Sequence, residues 1–374
     1  MLTQLSDLRV IEMGTFITGP AASMQLADLG ADVVKVERPE TGDPFRAFEG
    51  DLYSPHFQTY NRNKRSVTLD TRDPVDLARF DDLIANADVF IQNFRPGAAE
   101  KLNAGYERLS SLNPRLIYCS ISGFGSSGPD EMRPAFDTVA QASSGFLRLL
   151  LNPKEPRVVG PAIADAITGI YAAMGILSAL HARNSNGRGA KVELSMLEAM
   201  SYFNLDDFTH HLSEGIEMGP FSRPEVSQSY VFHCADGHMI ALHMSSPPKF
   251  WENLLTALDH PELIDNPIFA SRAARISHYE TILDCLRPLF AAQPLAHWKA
   301  RFAQFEVPHA EVATPQAVLA SPQAQHLALE VSGESPRGGT FRTIRNPLRI
   351  NGERMDRVIA PPLLGQHNAA IFGE

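Results

Sequence analysis

The chain reads as an α/β protein: a large domain with a parallel sheet, joined to a smaller α+β domain. Three observations predict this. Apolar strand-like runs alternate with helical patterns through the first 125 residues. The runs end in loops rich in Gly and Pro. Near residue 213 the pattern changes to a hairpin followed by amphipathic helices. Strands separated by helices at this spacing pair in parallel and carry helices on both faces.

Taken in order, "LRVIEM" is a strand, "GTFITGP" a loop and "AASMQLADLG" a helix, followed by the strand "ADVVKVERP". Helix "DLARFDDLIANA" leads to strand "DVFIQNF", and helix "AAEKLNAGYERLSSLN" to strand "RLIYCSISGFG". A parallel sheet binds ligands beyond the carboxyl ends of its strands. The loops to watch are therefore "GTFITGP", "ERPETGDPFR", "NFRPG" and "SGFGSSGP". "GPAIADAITGIYAAMGILSAL" (160–180) is a buried helix whose small residues allow close packing, and "GRGAKVELSMLEAM" is a turn, a strand and a helix. The uninterrupted apolar part, Ala166 to Leu180, is 15 residues, short for a bilayer span. Asp236-Gly237 sits between alternating runs as a hairpin turn. The expected division is a large domain over 1–212, a linker over 213–225, a small domain over 226–325 and a last segment over 326–374.

Composition narrows the function. The 374 residues are 44% hydrophobic and 20% charged, with a net charge of −10, which argues against a nucleic-acid partner. Cys119, Cys234 and Cys285 are widely spaced, so neither a disulfide framework nor a zinc site is indicated. The start "MLTQLSDLRVIEMG" carries no secretory pattern. A cytoplasmic protein without a membrane partner is expected.

Asp165 is an ionisable acid among Ala, Ile and Gly. It reads as a helix N-cap, as a carboxylate nucleophile or base, or as both, since a helix N-terminus favours the ionised form. "NRNKR" supplies Arg62, Lys64 and Arg65, which with Arg38 and Arg95 are either solvated surface or a phosphate site. Gly14 and Gly19 do not make a GxGxxG, so Glu37 as a ribose-binding acid is a weak nicotinamide signal. "DDFTHHL" places two acids beside His210 and His211, but adjacent histidines cannot share a helix face, and no metal site is assigned.

Seven segments in order carry a resemblance: "GPAASMQLADLGADVVKVERPETGDPFR", "NRNKRSVTLD", "DVFIQNFRPGAAEKL", "FDTVAQASSGF", "GRGAKVELSMLEAM", "NPIFASRAARISHYETI" and "VPHAEVATPQAVLASPQ". Through them the chain resembles the class III coenzyme A transferases, the superfamily of formyl-CoA transferase, carnitine CoA-transferase and α-methylacyl-CoA racemase. The resemblance implies a transferase moving coenzyme A from an acyl-CoA to a carboxylic acid acceptor, with Asp165 as nucleophile and no prosthetic group. It implies CoA nucleotide contacts from Arg38, Leu69, Arg72, Asn93, Phe94, Ala98 and Lys101. Thr15, Phe16 and Thr18 are expected to border the pantetheine and thioester. The resemblance also implies a Rossmann-like large domain that contains both termini, so that 326–374 is a return segment completing it, and an interlocked homodimer.

Two departures shape the substrate expectation. Ile17 stands where formyl-CoA transferase has glutamine, and Ser245, Ser246, Pro247 and Pro248 replace its glycine lid, so formyl and oxalyl groups are poor substrates. Phe136 stands where the racemase branch has a histidine base, which disfavours the alternative, an isomerase exchanging the α-proton of a 2-methylacyl-CoA. Arg148, Lys154 and Arg157 are either an anchor for a second substrate carboxylate or surface charges.

Overall fold

The structure is a computed structural model describing residues 2–49, 51–245 and 247–373. The chain forms two compact units. The first comprises Met1–Leu147, Val158–Phe208 and Ala328–Glu374, and the second Arg148–Arg157 and Thr209–Leu327. Residues 148–157 thus group with the second unit rather than with an unbroken 1–212, and the 213–225 stretch contains a short helix, Ser222–Ser227.

The first unit is built on six strands: β1 (Arg9–Glu12), β2 (Asp32–Glu37), β3 (Lys64–Thr68), β4 (Val89–Gln92), β5 (Ile117–Ser122) and β6 (Ala190–Ser195). They lie in the order β3-β2-β1-β4-β5-β6, and every pair is parallel. Both faces are covered, so successive strand residues alternate between two cores rather than between core and water. Val10 joins Leu26, Ile117 and Ile176 on one face, while Ile11 joins Phe80, Phe90 and Tyr118 on the other.

β3 lay hidden in the basic run "NRNKR". Its Lys64 and Ser66 are buried polar residues, so the apolar signal of a buried strand is missing. The single helix expected over "AAEKLNAGYERLSSLN" is two, Ala98–Lys101 and Tyr106–Leu112, because Asn103 takes a positive φ of 54° between them.

The Asp165 helix runs over Ile163–Asn186, 24 residues. That is longer than the apolar core suggested, and length and composition alone would let it cross a bilayer. In this fold its Ala172, Ile176 and Leu180 are buried against the sheet. It crosses the helix Thr18–Asp28 at Gly169, where a Cβ would stand 2.7 Å from the Ala21 Cβ. Gly187, at φ 72°, ends it. This crossing brings Asp165 to the loop that follows β1.

The second unit pairs β7 (Ser229–His233) with β8 (Met239–His243) in the expected hairpin, and β9 (His309–Glu311) adds to its edge. Its core holds Trp251, Phe290, Trp298 and Phe302.

Candidate active site

β1 and β4 are neighbours whose connections leave in opposite directions, the switch point at which such sheets bind ligands. Asn93, just past β4, ties the two loops together there. Its Oδ1 accepts from Thr15 N at 2.9 Å, and its Nδ2 donates to Thr15 O and to Thr18 Oγ1, both at 2.8 Å. Phe16 holds a left-handed φ of 59°, a conformation a bulky residue adopts only when its surroundings impose it. Its N–H donates to Asp43 Oδ1 at 3.1 Å.

Two cavities open at this point. The first, about 680 Å³, is lined by Thr15, Phe16, Arg38, Leu69, Arg72 and Phe94 among others. The second, about 270 Å³, is lined by Thr15, Phe16, Ile17, Thr18, Asn93, Phe94, Phe136 and Asp165 among others. Thr15, Phe16 and Phe94 belong to both walls. Most residues singled out from sequence are thereby brought to one continuous edge. Ala98 and Lys101 line neither cavity; Lys101 is exposed on its short helix, and the neighbouring Leu102 reaches the first cavity instead. Arg38 is exposed, and Arg72 pairs at the surface with Asp70 at 2.8 Å, a pair that a phosphate can displace at little cost.

The rest of the basic run does other work. Arg62 pairs with Asp28, Arg65 with Asp32, and Lys64 reaches Glu12 at 3.0 Å. These three belong to the fold and do not form a phosphate site. Glu12 also takes Lys35 at 2.8 Å, and Lys35 bridges on to Asp43 at 3.0 Å. Glu37 is likewise committed: it accepts from Arg46 through both oxygens at 2.7 Å, and from Asp43 N and Ser66 Oγ. It is not a ribose ligand, which removes the nicotinamide signal.

Asp165 corrects two expectations. It is not the N-cap: the capping residue is Ala162, and Asp165 sits in the first turn. The cap is supplied across the fold by Asp137, whose Oδ1 accepts from Ala164 N at 2.8 Å and Asp165 N at 3.3 Å. Asp137 Oδ2 is fixed by Gln141 Nε2 at 2.6 Å. Nor is Asp165 held in its ionised form. Burial, reinforced by the Asp137 charge, pushes its carboxyl up to about 7. No cation or hydrogen-bond donor among the described residues contacts the Asp165 carboxylate. Sequence reading missed Asp137 as a partner, because the two acids lie 28 positions apart. It also missed Tyr60, whose hydroxyl is pushed up by burial and then by the charges of Asp165 and Asp137.

The other residues named from sequence fall elsewhere. Arg148, Lys154 and Arg157 belong to the second unit and are exposed, Arg148 pairing with Glu217 at 3.4 Å. Ser245 and Pro247 lead into the helix Pro248–Ala257, and Ser246 lies outside the described residues. Asp206, His210 and His211 lie on the helix Leu205–Glu214.

Comparison with known proteins bears on this arrangement. The family model for CoA-transferase family III matches residues 5–368. The succinate–glutarate CoA-transferase of Agrobacterium fabrum is 32% identical, over 99% of this chain and 95% of its own. The formyl-CoA:oxalate CoA-transferase of Streptomyces avermitilis is 31% identical, over 100% and 95%. The crystal structure of a CAIB/BAIF family protein from Brucella suis superposes with a TM-score of 0.87 at 30% identity, covering 100% of this chain and 99% of that one. Likeness that runs through both units, and not through the nucleotide-type sheet alone, settles what kind of enzyme this is: the chain belongs to CoA-transferase family III and is a CoA-transferase.

Proposed function

We propose that Asp165 carries the transfer as a covalent nucleophile. The observation that supports this best is its carboxylate, which lines a cavity at the switch point with a like charge nearby and no cation in contact with it among the described residues. A carboxylate paired with Lys or Arg is a poor nucleophile; one left unpaired and half-desolvated is a usable one. Its oxygen attacks the acyl-CoA carbonyl, giving an acyl–aspartyl anhydride and CoA thiolate. The thiolate attacks the aspartyl carbonyl, forms an aspartyl-CoA thioester and expels the donor acid as its carboxylate. An acceptor carboxylate attacks that thioester, again giving an anhydride and free thiolate. The thiolate then takes the acceptor's carbonyl and leaves Asp165 as it began.

The first cavity suits the CoA nucleotide, with Arg38 and Arg72 meeting phosphate oxygens and Leu69 under the base. Thr15, Phe16, Thr18, Asn93 and Phe94 border the thioester between the cavities, and Ala98 and Lys101 follow on the same side of the nucleotide. The acting species is a homodimer. Ile170, Met174, Tyr202 and Leu205, each at least half exposed, give the first unit an apolar surface of the kind that partners cover. Sedimentation at twice the 41.1 kDa chain mass is expected, and a stable active monomer would remove that part.

The test of the nucleophile is Asp165→Asn. The amide keeps the size and is a far weaker nucleophile, so the variant should fold, bind CoA and lose transfer by roughly a thousandfold or more. Substantial activity, with reversion to Asp excluded by mass, would refute the assignment.

A further inference from the structure

We propose that the acyl subsite beside Asp165 is built for an apolar acyl group, aryl or branched, rather than for one ending in a second carboxylate. The proposal rests on the aspartyl reading above and names the substrate class of that site.

The ground for it is a run of aromatic rings that begins in the nucleophile's own cavity. Phe16 and Phe136 both line that cavity and meet edge to face, with centroids 5.7 Å apart and planes at 90°. Phe16 continues edge-on to Phe45 at 5.2 Å and to Phe48 at 6.3 Å, and these two meet at 4.9 Å. His56 closes the run at 5.5 Å from Phe45 and 5.4 Å from Phe48, while its Nε2 faces Glu49 at 4.0 Å. Edge-to-face contacts hold these rings against one another, so together they form a fixed wall. Of these rings Phe16 and Phe136 line the nucleophile's cavity, and Phe136 is 60% exposed. Large rings left uncovered next to a reacting group provide apolar surface for a ligand to bury. Ile17 and Met196, both buried, add aliphatic surface to the same cavity.

A second carboxylate set against the rings themselves would lose water without gaining a donor from them. Two guanidinium groups also line the cavity. Arg133 stands 3.3 Å from Asp130 in an exposed pair and is stacked 4.8 Å over the Phe124 ring. Arg95 and Arg133 are the donors that a dicarboxylate would have to use, and Arg95 opens also onto a separate polar cavity with Lys191 and Glu193. The apolar side chains of Phe16, Phe136, Ile17 and Met196 outnumber these two guanidinium groups in the cavity wall.

The experiment loads the full-length enzyme, without acceptor, from three donors separately: 3-phenylpropionyl-CoA, 2-methylbutyryl-CoA and succinyl-CoA. The rate at which CoA appears on Asp165 is read by mass. The first two should load about tenfold or more faster than succinyl-CoA, the range that apolar pocket contacts command. Phe136→Ala should lower the ratio of phenylpropionyl to succinyl loading by about tenfold, and Phe136→Leu should restore part of it. Succinyl-CoA loading as fast as the others, or a ratio unchanged in Phe136→Ala, would overturn the proposal. Preference for the apolar donors with CoA on a residue other than Asp165 would break the aspartyl reading and keep the preference. Loading from none of the three would overturn both.

Discussion

Glu12 and Asp165 are both carboxylates withdrawn from water, and both adjoin the loop that follows β1. Glu12 is fully buried between Lys35 and Lys64. Burial alone would raise its carboxyl, but the two ammonium groups overcome that and hold it below the usual range. The same burial pulls Lys64 down to about 8, although Glu12 opposes it. Through Lys35, which donates to Gly14 O at 2.8 Å, and Asp43, which accepts from Phe16 N, the network fixes the loop's backbone. Asp165 has the opposite arrangement. It is half-buried, faces Asp137, and has its helix's N–H groups already taken by that neighbour. A buried acid given cations becomes part of the scaffold. One given a second acid stays near neutrality in its proton affinity and is available for chemistry.

Stability measurements in denaturant should separate the two most sharply. Glu12→Gln leaves two buried ammonium groups without their shared partner and should cost about 3–5 kcal/mol. Asp165→Asn should act in the other direction. A folded carboxyl raised to about 7 holds its proton where the unfolded chain has released it, so its contribution to stability is present below the unfolded value and lost as pH rises through about 7. Replacement by a neutral amide removes that loss. The full linkage would be about 4 kcal/mol, and half-exposure reduces the expectation to about 1–2 kcal/mol at about pH 8, shrinking as pH falls and vanishing only below about pH 4. Equal losses in the two variants would erase the distinction drawn here.

A smaller effect sharpens the Asp165 side of the comparison. The nucleophile must be ionised, so kcat/KM should fall as pH drops through about 7. Asp137→Asn keeps an oxygen to cap Ala164 N and removes the charge, so the acid limb should move down by roughly half to one pH unit. A profile that does not move would show that burial alone sets the Asp165 carboxyl.

The sequence carried the sheet well where strands are apolar on both sides, as in "ADVVKVE" and "RLIYCSIS". It failed at β3, because a strand whose inward residues are Lys64 and Ser66 resembles a solvated charge run. The same blindness misjudged Arg62, Lys64 and Arg65: their partners Asp28, Glu12 and Asp32 lie 33 to 52 positions away, and spacing says nothing about such pairs. Asp165 stood out because its local neighbours are all small and apolar. What sets its protonation did not, since Asp137 reaches it only through the packing of one helix start on another. Thr15, Thr18 and Asn93 were singled out in the sequence and line the Asp165 cavity, but the hydrogen bonds that join them exist only once β1 and β4 are side by side.

The central claim is that the unpaired aspartate, and no other group, becomes acylated. Incubation of the enzyme with an acyl-CoA that it turns over, without acceptor, followed by borohydride, tests this directly. Anhydrides and thioesters are reduced by borohydride and free carboxylates are not, so the peptide containing "GPAIADAITG" should carry an alcohol at Asp165 while Glu12 and Asp137 are unchanged. Reduction at a different residue, or an unmodified Asp165 in a protein shown to be turning over, would contradict the account.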